Sequence, residues 1–595
     1  MQEYEVPPLI PPREEGNLSD IVHGWAQRDP QRPLLSRQDE GVWRDVTAAD
    51  FSREVRELAK GFLAAGIEVG DRVAVMSRTR YEWTLTDFAL WTAGAVPVPV
   101  YETSSAAQTA WILQDSGAVA VVVETPQHSQ LVAGIRDEVP QLRDVWQIDA
   151  GGLDELVTAG AEVADADVEA RRSQLDRSSL ATVIYTSGTT GRPKGAELTH
   201  SNFLSLGENA IERLEQVVRS DGARTLLFLP LAHVFARLIQ VLVLQAGAQL
   251  GHSPDVKNLL PDLAAYRPTF LLAVPRVFEK VYNGAAQKAT DGGRGALFAR
   301  AADVAQRWSR AQDTGGPGLL LRAQHRLFDA LVYHRLREAM GGRVVYAISG
   351  GAALGERLGH FYRGIGLTIL EGYGLTETTA PVSVNTPELI KIGTVGRPLP
   401  GVGVRVKDGE VLVRGVNVFR GYLNDPEATE TALDEDGWFR TGDLGELDEQ
   451  GFLTITGRAK EILVTATGKN VSPGPLEDQL RATPLISQAL VVGEGRPFVA
   501  ALITLDPEAL PGWLERHELD GLPFEELRRN DVLLEAVQQA VDSANESVSR
   551  AESIRRFEIL EHDFTEENGY LTPSMKLKRN LVTQDLADQI ETLYS

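Results

Sequence analysis

Eleven residues, Tyr185-Thr-Ser-Gly-Thr-Thr-Gly-Arg-Pro-Lys-Gly195, combine three glycines, four aliphatic hydroxyls, an arginine and a lysine. The apolar run Leu180–Ile184 before them reads as a buried strand. A strand entering such a loop suits phosphate: backbone N–H groups and hydroxyls donate, lysine supplies charge, and glycine lets the backbone come close. The loop is not a Walker A motif, because Gly195 follows Lys194 where that motif needs Ser or Thr to hold Mg²⁺. If the loop grips ATP, the metal ligand comes from elsewhere, and the reaction need not release the γ-phosphate.

Other segments offer complementary groups. Tyr346-Ala-Ile-Ser-Gly-Gly-Ala-Ala353 is again a strand entering a small-residue turn, where a flat ring can lie against backbone. Glu371-Gly-Tyr-Gly-Leu-Thr-Glu-Thr378 offers an aromatic face in Tyr373, a hydroxyl in Thr376 and a carboxylate in Glu377. Glu377 is a candidate for the missing oxygen ligand of Mg²⁺; alone it would read as a solvated charge, and Tyr373 as core. Thr441-Gly-Asp443 puts a carboxylate in a tight turn, able to accept from two ribose hydroxyls or to act as an ordinary turn aspartate. Arg458 follows a strand-like run, and His233 lies in the apolar stretch Leu229–Phe235, where a lone histidine is usually structural.

The elements that must position these groups alternate. Helical spacing covers Ala49–Ala65, with Thr47 or Ser52 near its start and Gly66 after it. Strands are expected at Arg72–Met76, Val96–Val100, Ala118–Val123, Thr225–Phe228, Phe270–Ala273, Val344–Ile348 and Leu367–Leu370, with helices such as Trp83–Ala93 and Ser105–Gln114 between them. Repeated βα units imply an α/β fold with parallel sheets covered by helices. From 282 to 343 the rhythm is interrupted by two expected helices, 296–311 and 319–340. Between Arg294 and Arg343 stand nine arginines, four acids and no lysine. That excess reads as a solvated face or as attraction to a membrane or polyphosphate. After Gly401 short strands and turns take over, at 404–406, 411–414 and 452–456, followed by a βα-like tail. The boundary is expected at Gly457–Lys460, with domains 1–457 and 458–595.

At 595 residues, 43% hydrophobic and 24% charged, the chain is a multidomain globular protein. Its formal net charge of −24 argues against nucleic-acid binding. The absence of cysteine removes disulfides, thiolate metal sites and a cysteine nucleophile, so the thiol of any thioester belongs to a partner or a cosubstrate. The N-terminus is unlike a signal peptide, and the longest apolar run, Leu238–Leu250, is short and broken by glutamines. A cytoplasmic location is expected, with peripheral contact to the inner membrane face left open.

The segments Tyr185–Gly195, Leu229–Phe235, Tyr373–Thr378, Thr441–Leu444 and Gly457–Leu463 occur in the order of the adenylate-forming superfamily, which the chain resembles from about Gly24 to Val582. Ala273–Lys280, the helical insert and Asn568–Arg579 are similar to its long-chain fatty acyl-CoA synthetases, and the Ala/Arg/Gly-rich composition is similar to actinobacterial members. The resemblance implies a large N-terminal domain with parallel βα sheets plus a small distorted barrel, and a smaller mobile α+β C-terminal domain. It implies that a fatty carboxylate and ATP give acyl-adenylate and pyrophosphate, and that CoA then takes the acyl group and releases AMP. It carries ATP and AMP contacts onto Thr186, Ser187, Gly188, Thr189, Thr190, Gly191, Lys194, Gly351, Ala352, Glu371, Gly372, Tyr373, Gly374, Thr376, Asp443 and Arg458. Mg²⁺ falls to Thr186 and Glu377, the hinge to Lys460, and His233 lies near the acyl carboxyl and thiol path. Lys576 matches the catalytic lysine. Met575 stands where the wider family has glycine; Lys578 is the competing lysine, and Arg579 supports the Lys576 register. A ligase passing acyl groups to a carrier protein, an enzyme for short or aromatic acids, and a non-catalytic nucleotide-binding regulator are the alternatives. Acyl-chain length and oligomeric state are not legible.

Overall fold

The computed structural model describes residues 2–39, 41–186, 192–572 and 576–595, with residue 256 described by its backbone alone. Arg72–Met76, Val96–Val100 and Ala120–Val123 are almost wholly buried, as strands covered on both faces must be. With Asp144–Gln147 they form a parallel sheet in which Arg72–Met76 and Ala120–Val123 are central. Pro97 and Pro99, which have no N–H to donate, lie on its edge strand. The connecting helices are capped by their own sequence. Thr47 accepts from the Asp50 N–H ahead of Ala48–Ala64, and Ser105 and Gln108 cap Ala106–Ser116 reciprocally.

A second sheet runs Arg224–Leu227, Gln249–His252 and Pro33–Asp39 in parallel, with Val42–Thr47 antiparallel at its edge. A third places Phe270–Ala273, Tyr346–Ser349 and Thr368–Leu375 in parallel, followed by the antiparallel Ala380–Val384 and Arg397–Pro398. The glycine-rich loop joins two antiparallel strands, Leu180–Thr186 and Lys194–Thr199, whose register ends at Thr186 opposite Lys194. It is therefore a hairpin connection and not a strand-to-helix turn. Ser187, Gly188, Thr189, Thr190 and Gly191 lie outside the described residues.

Five antiparallel strands, Glu3–Val6, Val402–Lys407, Glu410–Gly415, Phe439–Leu447 and Leu453–Arg458, make a further sheet. Register shifts at 410/412 and 444/445 accompany an open half barrel, the form the expected distorted barrel takes. Beyond Arg458 the core is separate. Ile486–Val492 pairs antiparallel with Val499–Leu505, which pairs in parallel with Ile554–Leu560. Ala489, Val491, Ala501 and Ile503 pack with Leu533, Val537 and Val541; Leu490, Val492, Ala500 and Leu502 pack with Phe564, Leu571 and Val582. The protein is thus a two-domain α/β structure, large domain first.

The interrupting segment forms helices Pro275–Asp291, Gly295–Asp313, Leu319–Phe328 and His334–Ala339, with a π-helical turn at Asp329–Tyr333. The π-turn lets Phe328 and Tyr333, five apart, both face inward, where they are buried. The smaller domain rests on the first of these helices through Arg276–Asp506 at 3.4 Å, Lys280–Glu508 at 3.3 Å and Arg516–Asp291 at 3.0 Å.

Candidate active site

A cleft of about 920 Å³ is lined by both domains. Thr186, Pro193 and Lys194 reach it from the hairpin, Ser349–Gly351 and Gly372–Glu377 from ends of the third sheet, Thr441, Gly442 and Arg458 from the half barrel, and Lys460, Thr572 and Lys576 from beyond it.

The glycines of this wall have two different reasons. Gly351 has φ +87°, a conformation open to glycine and costly for other residues. Gly372 and Gly374 face the neighbouring strand, where a Cβ would lie 3.0 Å from the Ser383 carbonyl and 1.5 Å from that of Ala380. Strand alternation then sends Tyr373, between them, to the opposite side. Its hydroxyl donates to Asp443 Oδ2 at 2.6 Å, and burial followed by that carboxylate pushes the phenol pKa well up. Asp443 is 3% exposed, and Arg458, opposite it in the strand register, holds Oδ1 at 2.8 Å.

At the hairpin end, Lys194 Nζ pairs with Asp425 at 3.0 Å and lies 5.3 Å from the ring centre of Tyr422, whose hydroxyl donates to Glu377 Oε1 at 2.8 Å. Gly421–Tyr422 is the two-residue strand that pairs with Lys194–Thr199, and this brings the four groups together. An anion reaching Lys194 must compete with Asp425. Among the described residues no three His, Asp or Glu side chains cluster as a metal cage. Glu377 and Thr186 both line the cleft. This donor set fits Mg²⁺, which takes one or two carboxylates and completes its shell with substrate phosphates and water.

His233 caps the helix Val234–Ala246: its Nδ1 accepts the Phe235 N–H at 3.2 Å. The ring proton is therefore on Nε2. Burial, with repulsion from Lys576, lowers its pKa to about 3, so the ring is a neutral donor at neutral pH. From His233, Val234, Leu238 and Leu242 form one helical stripe along the cleft, about 12 Å long at 1.5 Å per residue. Leu214, Leu272 and Val384 extend the apolar wall.

Lys576 is exposed to the cleft yet surrounded by protein. Desolvation and Arg458 hold its pKa below the ordinary lysine value, against the pull of Asp443 and Glu377. Its N–H donates to Thr572 Oγ1 at 3.0 Å and its carbonyl accepts the Thr572 N–H at 2.8 Å, while residues 573–575, Met575 included, lie outside the described residues. Arg579 anchors this turn: it donates to both oxygens of the buried Glu477 at 2.7 Å and to the Val491 carbonyl at 2.9 Å. Lys578 does not line the cleft.

Ala352 and the side chain of Glu371 do not line it either. Glu371 accepts the Leu354 N–H at 3.1 Å, and burial raises its pKa to about 7. Sequence reasoning missed Tyr422, Asp425 and Glu477. The first two belong to no readable motif, and Glu477 lies 99 residues before the lysine turn that it helps to fix.

The chain belongs to the AMP-binding enzyme family, which matches residues 22–423, and the AMP-binding enzyme C-terminal domain matches residues 460–595. Among individual relatives, it is 52% identical over 600 residues to the long-chain-fatty-acid–CoA ligase FadD15 of Mycobacterium bovis, covering 100% of both chains. It is 30% identical to the human long-chain-fatty-acid–CoA ligase 1, over 91% of this chain and 82% of that one. The fold is similar to the adenylation domain of a carboxylate reductase from Mycobacterium chelonae, with TM-score 0.74, 24% identity and coverage of 97% and 91%. It is also similar to ATP-bound MatB from Rhodopseudomonas palustris, with TM-score 0.72, 23% identity and coverage of 97% and 99%.

Proposed function

We propose that this protein is an AMP-forming long-chain fatty acid–CoA ligase, acting from the cytoplasmic side. The observation that carries this reading is a single cleft whose polar end gathers Lys194, Glu377, Arg458 and Lys576 and whose apolar end follows the stripe Val234–Leu242. Full-length similarity to long-chain-fatty-acid–CoA ligases supports it.

The hairpin from Thr186 to Lys194 holds the β,γ-phosphates, so the pyrophosphate is gripped while chemistry occurs at the α-phosphate. Gly351 and Tyr373 flank adenine, and Asp443 and Arg458 take the ribose. Thr186 and Glu377 would hold Mg²⁺, which when bound neutralises phosphate charge. The fatty carboxylate attacks the α-phosphorus, the bond to the pyrophosphate breaks, and Lys576 stabilises charge on the transferring group. His233 Nε2–H is a fixed neutral donor for the acyl carboxyl. The CoA thiol, losing its proton, then attacks the acyl carbonyl and AMP leaves with the bonding pair. A chain without cysteine forms no cysteinyl thioester, so transfer is direct. Between the steps the domain 458–595 turns about Lys460 against 1–457 and withdraws Lys576.

Incubation with ATP, palmitate and CoA is expected to give palmitoyl-CoA, AMP and pyrophosphate, with a series of acids placing the optimum at long chains. Acyl-adenylate that forms without transfer to CoA would overturn the CoA ligase reading in favour of a carrier-protein acceptor. We also propose peripheral contact with a lipid surface, where long acyl chains partition. Among the described residues no helix is long and apolar enough to cross a membrane.

A further inference from the structure

The helical segment 319–339 has already spent its inner face. Phe328, Tyr333 and Leu336 are buried, the Tyr333 hydroxyl donates to the Ala301 carbonyl at 2.6 Å, and the His325 ring stacks on Trp308 at 4.0 Å. Folding therefore has no use for further leucines on its outer side. Yet Leu319 and Leu320, 84% and 73% exposed, are the most exposed large apolar side chains among the described residues, and Leu327 and Leu331 follow on the same segment at 57% and 45%. Leu320, Ala323, Leu327 and Leu331 are three or four apart and make one outward stripe.

Cations border that stripe: Arg322, Arg326 and Arg335 are all exposed. Of the nine arginines between 294 and 343, the described residues ion-pair Arg307 and Arg337 alone. In a chain of net charge −24, this is a cationic rim around exposed leucines. We propose that the outer face of 319–339 docks the protein on an anionic lipid surface. The leucines enter the headgroup boundary while the arginines meet lipid phosphates, their stems lying along the apolar layer. The acidic remainder is repelled by the same surface, so one orientation is selected. A second copy fits poorly, because a two-fold contact would set the rim of arginines against itself. This inference rests on the peripheral contact proposed above and assigns it a face and a lipid charge.

The test is co-sedimentation of the full-length protein with phosphatidylcholine vesicles, with and without phosphatidylglycerol. The wild type is expected to sediment with the anionic vesicles, less so as salt rises. Arg322→Gln with Arg326→Gln is expected to weaken that binding at least tenfold, from roughly fivefold per arginine, and to leave neutral vesicles unaffected. Leu320→Gln with Leu327→Gln is expected to weaken both. Pyrophosphate exchange on detergent-dispersed palmitate, kept at wild-type level, shows that the variants are folded. Wild type that sediments with neither vesicle overturns the peripheral contact and the face together. Variants that sediment like wild type overturn the face alone, and light scattering in which the leucine variants split an oligomer with sedimentation unchanged makes it a contact between copies.

Discussion

Arg458 Nε lies 2.8 Å from Asp443 Oδ1, and the two residues stand opposite each other in neighbouring strands of the half barrel. Tyr373 holds the other carboxylate oxygen at 2.6 Å, so the carboxylate is fixed from two sides before any nucleotide arrives. Arg458 is also two residues ahead of the proposed hinge, so this pair ties the half barrel to the stretch of chain that leads into that hinge.

Asp443→Asn removes the charge that holds Arg458 and one acceptor proposed for the ribose. A lost charge-assisted bond corresponds to at least tenfold. Pyrophosphate exchange is expected to show KM for ATP raised about that much, with a smaller change in kcat. An unchanged KM removes Asp443 from the ribose site.

Lys576→Ala is expected to cost adenylation about 10²–10³-fold, the scale of deleting one preorganised donor at developing charge. Thioester formation from supplied acyl-adenylate is expected to stay near wild type, because the role proposed for the lysine belongs to the first step. Equal losses in the two half-reactions would sink the assignment.

Lys460→Pro fixes a backbone dihedral at the proposed hinge. Rapid-quench measurement is expected to show the first pyrophosphate released normally and acyl-CoA lost. Unchanged overall turnover rules Lys460 out as the hinge.

Glu371 makes a prediction about pH. Burial lifts its carboxyl from 4.5 to about 7, opposed by the Leu354 N–H and reinforced by Glu356. Below 4.5 both folded and unfolded chains hold the proton; between 4.5 and 7 only the folded chain does, so folding stability falls as pH climbs through that window. Glu371→Gln is therefore expected to be more stable than wild type at pH 8, by on the order of 3 kcal/mol, with the gap narrowing towards pH 5. Denaturant midpoints at both pH values measure it, and a gap that does not change with pH refutes it.

The parallel strands were legible because burial on both faces writes short unbroken apolar runs: Arg72–Met76, Val96–Val100 and Phe270–Ala273 fall where periodicity places them. Glu3–Val6 was not, since an acidic, half-exposed edge strand has no apolar signal and takes its conformation from Val402–Lys407. The segments that line the cleft were legible as motifs. Their couplings were not: Tyr373 to Asp443, Tyr422 to Glu377 and Arg579 to Glu477 join residues distant in the chain. Glu371 reads as part of a nucleotide motif, yet its side chain supports the turn at Leu354 from behind. Periodicity reports which face of an element is buried, and gives no information on which partner the fold brings there.

Under the proposed rotation, the charge pairs that seat the smaller domain would make ionic strength a clock for the catalytic cycle. Arg276, Lys280 and Arg516 reach across to Asp506, Glu508 and Asp291 in the arrangement that carries Lys576 into the cleft. The rotation proposed here parts all three pairs at every turnover, and dissolved ions soften such a seat while barely touching the enclosed chemistry. Salt would thus act on the dwell time in the adenylating pose, speeding an enzyme limited by domain release and slowing one limited by domain capture.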